Sequence, residues 1–302
     1  MTLTDTTIDV RHLGRETYVA SQLLATDAGP VLLDTGPGST LVTLKAELGR
    51  LGVRVKDLHA ILLSHIHFDH AGATGLLVDE NPNIVVYVHE LGAKHLINPA
   101  KLVASATRVF GDDMDRLWGR FLPVPTAQVR PLVGGETIWL GSRRFDVIHT
   151  PGHAVHHVAY HDVADRTAYV GDNGGIRIPQ LPVTMPVTPP PDFNLEDWLT
   201  SLDRIEAWAP RRLFTTHFGF HDDPTTHLAD LRRGLHNWTA AARRLLAEDL
   251  PDDVRADRFD EHVTHWLADK ADPATIQAAR EFSGFRASYT GLAWYWKKKL
   301  GH

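Results

Sequence analysis

Four side chains that can bind a metal ion lie within six residues, in the segment His65-Ile66-His67-Phe68-Asp69-His70. The run before them is short, aliphatic and unbroken, which predicts a buried strand over residues 60–64. The cluster therefore lies where a strand ends and the chain turns, so its side chains can point at one position. Neutral imidazole and carboxylate are ligands of zinc, manganese and iron. A polar loop that caps a helix is the alternative, and four ligand side chains in six residues argue against it.

Three more candidate ligands follow later apolar runs of the sequence. The predicted strand 145–150 leads to His153, the predicted strand 167–170 leads to Asp172, and the predicted strand 212–216 leads to His217. Alone, each pattern is typical of a turn, a cap or a locally hydrogen-bonded histidine. As an ordered series at strand ends, together with the first cluster, they indicate one metal site.

Composition limits both the ligand chemistry and the classes of partner. The 302 residues include no cysteine, so histidine and carboxylates must hold any metal. Hydrophobic residues make up 43% of the chain, and the net charge of −6 gives no general basic field for nucleic acid or anionic membranes. No apolar run approaches the roughly 18 residues of a membrane span, and the N-terminus lacks a signal-peptide pattern. We therefore predict a cytoplasmic protein with a small-molecule substrate, and keep a homodimer as an option.

Hydrophobic spacing predicts the elements that would position these residues. Residues 101–122 carry no assignable pattern, and after about residue 225 the spacing changes to amphipathic helices, one of them opening at Pro273. This change predicts a main domain over residues 1–224 and a helical C-terminal extension over residues 225–302 packed on it. The main domain is predicted to contain a hairpin over 17–33, helices over 39–51, 71–78 and 90–96, strands over 60–64, 84–88, 138–140, 145–150, 158–161, 167–170 and 212–216, and a helix capped by Asn194.

The candidate residues also match a known set of motifs. Asp34 in Leu-Leu-Asp-Thr-Gly, the cluster at 65–70, His153, Asp172 and His217 occur in the order and at the spacing of the five motifs of the metallo-β-lactamase fold superfamily. On these residues the chain resembles that family of metallohydrolases over about residues 10–220. The resemblance implies an α/β (α+β) fold, a four-layer αββα sandwich of two mixed sheets with outer helices. The metal site would lie along one sheet edge, and a helical extension would follow.

The resemblance implies a role for each candidate residue. One metal ion would be held by His65, His67 and His153, and a second by Asp69, His70 and His217. Asp172 would bridge the two ions, and Asp34 would order the ligand loop without binding metal itself. The cofactors implied are two divalent ions, with zinc expected and iron or manganese as alternatives. A hydroxide between the ions would attack the substrate, with Asp69 and Asp172 as the catalytic carboxylates.

The subfamily stays unassigned. Lactonases share a similar His-Xaa-His-Phe-Asp-His cluster, and glyoxalase II-like thioesterases share the cluster and a helical C-terminal region. We therefore predict a dinuclear hydrolase of an ester, a thioester or a lactone. A phosphodiesterase with the same site and an iron-dependent dioxygenase of the same fold are the alternatives.

Residues 173–191 are rich in proline and glycine, and a long irregular segment of this kind is often functional. We predict a rim or lid, in which Arg177 would meet an anionic group of the substrate. His221 is a second candidate for substrate contact, with a helix cap as the alternative. A packed structural loop is the alternative for the segment, whose predicted apolar wall consists of Ile178, Leu181, Val183 and Met185.

Overall fold

Two mixed six-stranded sheets form the centre of the protein, whose computed structural model describes residues 3–179 and 181–301. In both sheets neighbouring strands are consecutive in the chain, so each sheet is built from one continuous part of the chain. The strands of the first sheet are β1 (Thr6–Asp9), β2 (Ala20–Leu24), β3 (Val31–Leu33), β4 (Ala60–Leu62), β5 (Val85–His89) and β6 (Val129–Leu132). Those of the second are β7 (Thr137–Leu140), β8 (Arg143–His149), β9 (Val158–Asp162), β10 (Thr167–Tyr169), β11 (Arg212–Thr215) and β12 (Gly219–His221).

Helices cover the outer face of each sheet. Helices α1 (Leu41–Arg50), α2 (Phe68–Ala71), α3 (Thr74–Glu80), α4 (Glu90–Ile97), α5 (Ala100–Phe110) and α6 (Met114–Leu117) belong to the first half of the chain. The second half contributes α7 (Leu195–Ala207), α8 (Pro224–Leu246), α9 (Asp252–Ala268), α10 (Pro273–Ser283) and α11 (Phe285–Leu300). Among the described residues, no helix is both long and apolar enough to cross a membrane.

The alternation of side chains along the strands explains the four layers. In β3, Val31 and Leu33 pack between the sheets against residues such as Phe145 and Phe214. The intervening Leu32 faces outward and packs in the cluster that includes residues of α1 and α3. Both faces of these strands are therefore apolar, as expected for strands buried on both sides. The αββα sandwich predicted from the sequence is confirmed.

The C-terminal helices complete the outer layer of the second sheet. Helices α8 to α11 share one apolar cluster with α7 and with strand residues such as Ala168 and Leu213. Trp238 of α8 lies 5.7 Å from Phe259 of α9 and 5.8 Å from Phe285 of α11, measured between ring centroids. The predicted helical extension is thus present and packed on the body, while its boundary at residue 224 stays a prediction.

The sequence prediction missed three strands and three helices, which are the short α2 and the helices α5 and α6. The missed strands, β1, β6 and β12, all lie at sheet edges, where one side of the strand has no partner and the apolar pattern is weak. Strand β6 even contains Pro131, which is tolerated only at an edge. Helices α5 and α6 fall in the unassigned segment 101–122 and bury little of their surface, with Ala106 their sole buried residue.

Candidate metal centre

Three imidazoles from segments that follow strands of both sheets meet at one point. His65 and His67 follow β4, and His153 lies in the loop between β8 and β9. The Nδ1 atom of His67 lies 2.9 Å from Nε2 of His65 and 2.9 Å from Nε2 of His153. All three rings are buried or half-buried, so their nitrogens converge on one point away from bulk solvent.

A second group of side chains lies beside the first. Nε2 of His217, which follows β11, lies 3.3 Å from Oδ2 of Asp69, and Nε2 of His70 lies 3.7 Å from the same oxygen. Asp69 and His70 lie on the short helix α2, which begins directly after His67. Asp69 is the most exposed of these side chains, at 23%, so the centre opens to the surface on this side.

Asp172 lies between the two groups. It follows β10 in a short helical turn at Gly171–Gly174. Its Oδ2 atom is 3.3 Å from Nε2 of His153, and its Oδ1 atom is 3.2 Å from Nε2 of His70. One carboxylate oxygen therefore faces each group, which is the arrangement that a bridging ligand requires.

The residues fit two metal ions. Ligands at about 2.0–2.1 Å from a tetrahedral ion lie roughly 3.3 Å apart, close to the separations found here. Nε2 of His70 and Oδ1 of Asp172 are buried and make no hydrogen bond. An unpaired buried polar atom costs about 1–3 kcal/mol, and coordination to a cation would satisfy both atoms. The atoms that could hold an ion lie within 4.8 Å of one another in each of two sets: His65, His67, His153 and Asp172, and Asp69, His70 and His217.

Hydrogen bonds to the other ring nitrogen orient several of these imidazoles. Nδ1 of His153 donates to the carbonyl of Val187 at 2.8 Å, and Nδ1 of His217 donates to the carbonyl of Tyr18 at 2.8 Å. Each bond selects the tautomer that leaves Nε2 free as a ligand atom.

The carboxylate of Asp34 accepts hydrogen bonds from the segments that carry the candidate ligands. Its Oδ2 atom accepts from Nδ1 of His70 at 2.7 Å and from the hydroxyl groups of Ser64 and Thr216, each at 2.8 Å. Its Oδ1 atom accepts from the backbone N–H of Ser64 at 2.8 Å. Asp34 itself is fully buried and has a left-handed backbone with φ of 51°. The carboxylate thus joins the end of β4 to the end of β11, which carry ligands of both groups.

The histidines of the two groups have pKa values that are shifted in opposite directions. Burial is the largest influence on the pKa of His65, His67 and His153 and lowers each of them, to about 3 for His67. These imidazoles are therefore neutral at physiological pH, the state that binds metal. Burial also disfavours the charged form of His70 and His217, but nearby carboxylates, Asp172 foremost, outweigh it and raise the pKa of both rings.

The pKa values of the two carboxylates in the centre are lowered. Burial alone would raise the pKa of Asp69 and Asp172, but the positive charge of His70 and His217 outweighs it and lowers both pKa values. Two negative charges are thus kept inside the protein at this point. Such a pair requires cations for compensation, either imidazolium groups or metal ions.

Further residues pack closely around the centre. Nδ1 of His157 lies 2.8 Å from Oγ1 of Thr150, and its ring stacks against His65 with centroids 5.1 Å apart. Gly171 has φ of 45°, and a Cβ atom there would lie 2.7 Å from Nε2 of His157. The turn that carries Asp172 therefore requires glycine at this position.

The sequence analysis did not find the residues that hold Asp34. Ser64 and Thr216 each precede a candidate ligand directly, His65 and His217. A residue with a hydroxyl group comes directly before a candidate ligand at two separate strand ends. This repeated pattern was the one signal in the sequence that could have indicated these residues. The carbonyl groups of Tyr18 and Val187 have no such signal, because any residue type supplies a carbonyl.

The predicted substrate contacts have partners within the protein. The guanidinium of Arg177 is paired with Asp223 at 3.0 Å, and Nε2 of His221 lies 3.2 Å from the hydroxyl of Thr215. His221 lies in β12 rather than at a helix cap. These contacts do not support a substrate role, which stays a prediction for both residues.

The apolar wall expected in segment 173–191 is not at the surface. Its four residues are between 0% and 6% exposed and belong to the cluster formed with the C-terminal helices. The packed structural loop is therefore the correct interpretation for Ile178, Leu181, Val183 and Met185.

Replacing Asp34 should be strongly destabilising. In Asp34→Ala the donors of Ser64 and Thr216 and the ring of His70 lose their buried acceptor. We expect the free energy of unfolding to fall by about 3–5 kcal/mol, which urea denaturation of the purified protein measures. The control is Asp203→Ala, which removes the ion pair of an exposed carboxylate with Arg232 and should change the stability little. Equal stability of Asp34→Ala and the wild type would contradict the role assigned to this carboxylate.

Comparisons with known proteins agree with this geometry. The sequence model of the Metallo-beta-lactamase superfamily matches residues 14–217. The chain is 30% identical over 136 residues to a "Probable metallo-hydrolase" of Methanocaldococcus jannaschii, covering 45% of this chain and 59% of that protein. It is also 30% identical over 115 residues to a hydroxyacylglutathione hydrolase of Pseudoalteromonas translucida, covering 38% of this chain and 32% of that one. The chain thus spans about three fifths of the first relative and a third of the second.

A solved structure shares the fold over most of the chain. A metallo-beta-lactamase family protein from Thermus thermophilus superimposes with a TM-score of 0.70 at 22% identity. The match covers 94% of this chain and 89% of that one, so it includes much of the helical C-terminal part.

Proposed function

The chain belongs to the metallo-beta-lactamase superfamily, and from that premise we propose that it is a dinuclear metal-dependent hydrolase of an ester, a thioester or a lactone. The observation that carries the proposal is the convergence of seven ligand-type side chains, with Oδ1 of Asp172 facing one group and Oδ2 the other. Histidine and carboxylate ligands suit zinc, iron and manganese, and of these we propose zinc as the metal. Two bound cations would lower the pKa of a water molecule toward neutrality and polarise a carbonyl oxygen.

The protein's own groups would orient the reaction. Asp69 lies at the open side of the centre, so its carboxylate can accept a hydrogen bond from the attacking water and hold that water in place. Asp172 is 2% exposed and fixed between the two groups of ligands. Its role is therefore to hold the ligand sets at a constant separation rather than to contact substrate.

Aromatic side chains beside His217 favour an uncharged substrate group. The ring of Phe282 stands edge-on to the imidazole of His217, with centroids 5.3 Å apart, and Tyr18 lies 4.0 Å from Phe282. Both aromatic rings are partly exposed. A carboxylic ester, thioester or lactone can place an apolar portion against such rings.

A small panel of substrates tests the proposal. Zinc-loaded protein is assayed on a lactone, a glutathione thioester, an aryl phosphodiester and a cephalosporin. We expect turnover of the lactone or the thioester. Turnover of the phosphodiester alone would contradict the proposed substrate class and favour a phosphodiesterase. Oxygen uptake by iron-loaded protein, without hydrolysis, would favour a dioxygenase.

A further inference from the structure

The turn that carries Asp172 is held from outside the ligand set. The backbone N–H of Gly175 donates to the carbonyl of Asp172 at 2.9 Å, which closes the turn. Gly174 fits tightly, because a Cβ atom there would lie 2.5 Å from Val170 and 2.6 Å from Thr215. Its carbonyl group is free to accept a hydrogen bond from a neighbouring element.

That hydrogen bond comes from the first turn of α8. Nε2 of His227 donates to the carbonyl of Gly174 at 2.6 Å, and the side chain of His227 is fully buried. Nδ1 of the same ring accepts from Nη1 of Arg177 at 3.4 Å. A neutral imidazole has one donor and one acceptor, and both are used here.

Arg177 extends the network to the second ligand segment. Its backbone N–H donates to the carbonyl of His217 at 2.7 Å. Its guanidinium pairs with Asp223, the residue directly before α8, at 3.0 Å. The start of α8 is therefore linked to the segments that carry Asp172 and His217, two residues that are 45 positions apart in the sequence.

We propose that the first turn of α8 positions Asp172 and His217 for metal binding, and that His227 is the positioning residue of this contact. The inference rests on the metal centre of the proposed function. The helical C-terminal part then does more than cover the second sheet, because α8 sets the geometry of the bridging carboxylate. Polar groups that hold metal ligands in place in this way typically change metal affinity by roughly 10–100-fold when they are removed.

Three variants of the full-length chain test the proposal. His227→Phe keeps a ring but removes the hydrogen bond to Gly174, whereas His227→Gln keeps an N–H donor. His262→Phe is the matched control, because His262 forms a comparable hydrogen bond to Asn237 within the helices α8 and α9. Chelator-treated proteins are titrated with Co²⁺, and affinity is read from the visible absorption spectrum and from competition with a chelator. Thermal unfolding is measured in parallel.

We expect His227→Phe to bind Co²⁺ roughly 10–100-fold more weakly and with an altered spectrum. His227→Gln should recover most of the affinity, and His262→Phe should bind as the wild type does. Wild-type affinity and spectrum in His227→Phe would overturn the proposal, as would an equal loss of affinity in His262→Phe. If His227→Phe does not fold, His227→Leu is measured instead, because it also removes the hydrogen bond to Gly174, and unchanged Co²⁺ affinity there would overturn the proposal.

The same titration separates this inference from the proposed function. Wild-type protein that binds two Co²⁺ ions but hydrolyses no member of the substrate panel would contradict the hydrolase alone. Wild-type protein that binds two ions and hydrolyses a substrate, with His227→Phe unchanged in affinity, would contradict the role of α8 alone.

Discussion

Asp172→Ala is expected to lose bound metal and hydrolytic activity together. The variant removes Oδ1, which lies 3.2 Å from Nε2 of His70, and Oδ2, which lies 3.3 Å from Nε2 of His153. Both ligand groups therefore lose a member. Loss of the ions removes several kcal/mol of charge stabilisation, so activity should fall by roughly 10³-fold or more. Elemental analysis and steady-state kinetics on the same preparation measure the two effects.

The control for this variant is Asp165→Ala. Asp165 also lies close to β10, but it pairs with Arg212 and has no contact with the candidate ligands. Its replacement should leave metal content and activity near the wild-type values. Retained activity with normal metal content in Asp172→Ala would remove Asp172 from the bridging position.

Asp69→Asn is expected to lower hydrolysis strongly while the first group of histidines keeps its ion. The amide has nearly the shape of the carboxylate but no charge, so it is a weaker hydrogen-bond acceptor for the attacking water and a poorer metal ligand. Misplacement of a reacting group can cost roughly 10²-fold, and we expect a loss in kcat of at least about that size. Steady-state kinetics with saturating zinc measures it.

The retained ion and a control variant distinguish the loss of the Asp69 carboxylate from the loss of the whole metal centre. His65, His67 and His153 do not depend on Asp69 for their orientation, so at least one ion should remain bound. Asp79→Asn, which changes an exposed carboxylate on α3, serves as the matched control and should have little effect. Wild-type kcat in Asp69→Asn would show that this carboxylate takes no part in the reaction.

The strands inside the sheets were predictable because they are buried on both faces. β3 and β4 consist of apolar residues alone, and such runs stand out in a sequence. β12 could not be predicted in the same way, because its three residues, Gly219 to His221, lie at an edge and pair on one side. β12 forms because it pairs with β11, and this pairing cannot be predicted from the residues of β12 alone.

The candidate ligands were predictable for a different reason. Each follows a strand, and strand ends that meet at one edge of a sandwich bring distant residues together. The contacts of Asp34 were only partly predictable, since Ser64 and Thr216 could be noticed but their shared acceptor could not. His227 was beyond prediction, because it binds a backbone carbonyl 53 residues away in the sequence.

The apolar residues of segment 173–191 show the limit of reasoning from composition. The segment has little regular structure, so Met185 and its neighbours were expected at the rim of the site. The C-terminal helices instead bury them, and this burial depends on tertiary packing between parts of the chain far apart in sequence. A loop can thus be irregular and still belong to the core.

Metal add-back shows whether activity depends on two bound ions. The protein is treated with a chelator, and hydrolysis of its best substrate is followed as zinc is added in known equivalents. We expect no activity without metal and a rise that ends at two equivalents per chain, one for each ligand group. Full activity in the metal-free protein, or a rise that ends at one equivalent, would contradict a dinuclear centre.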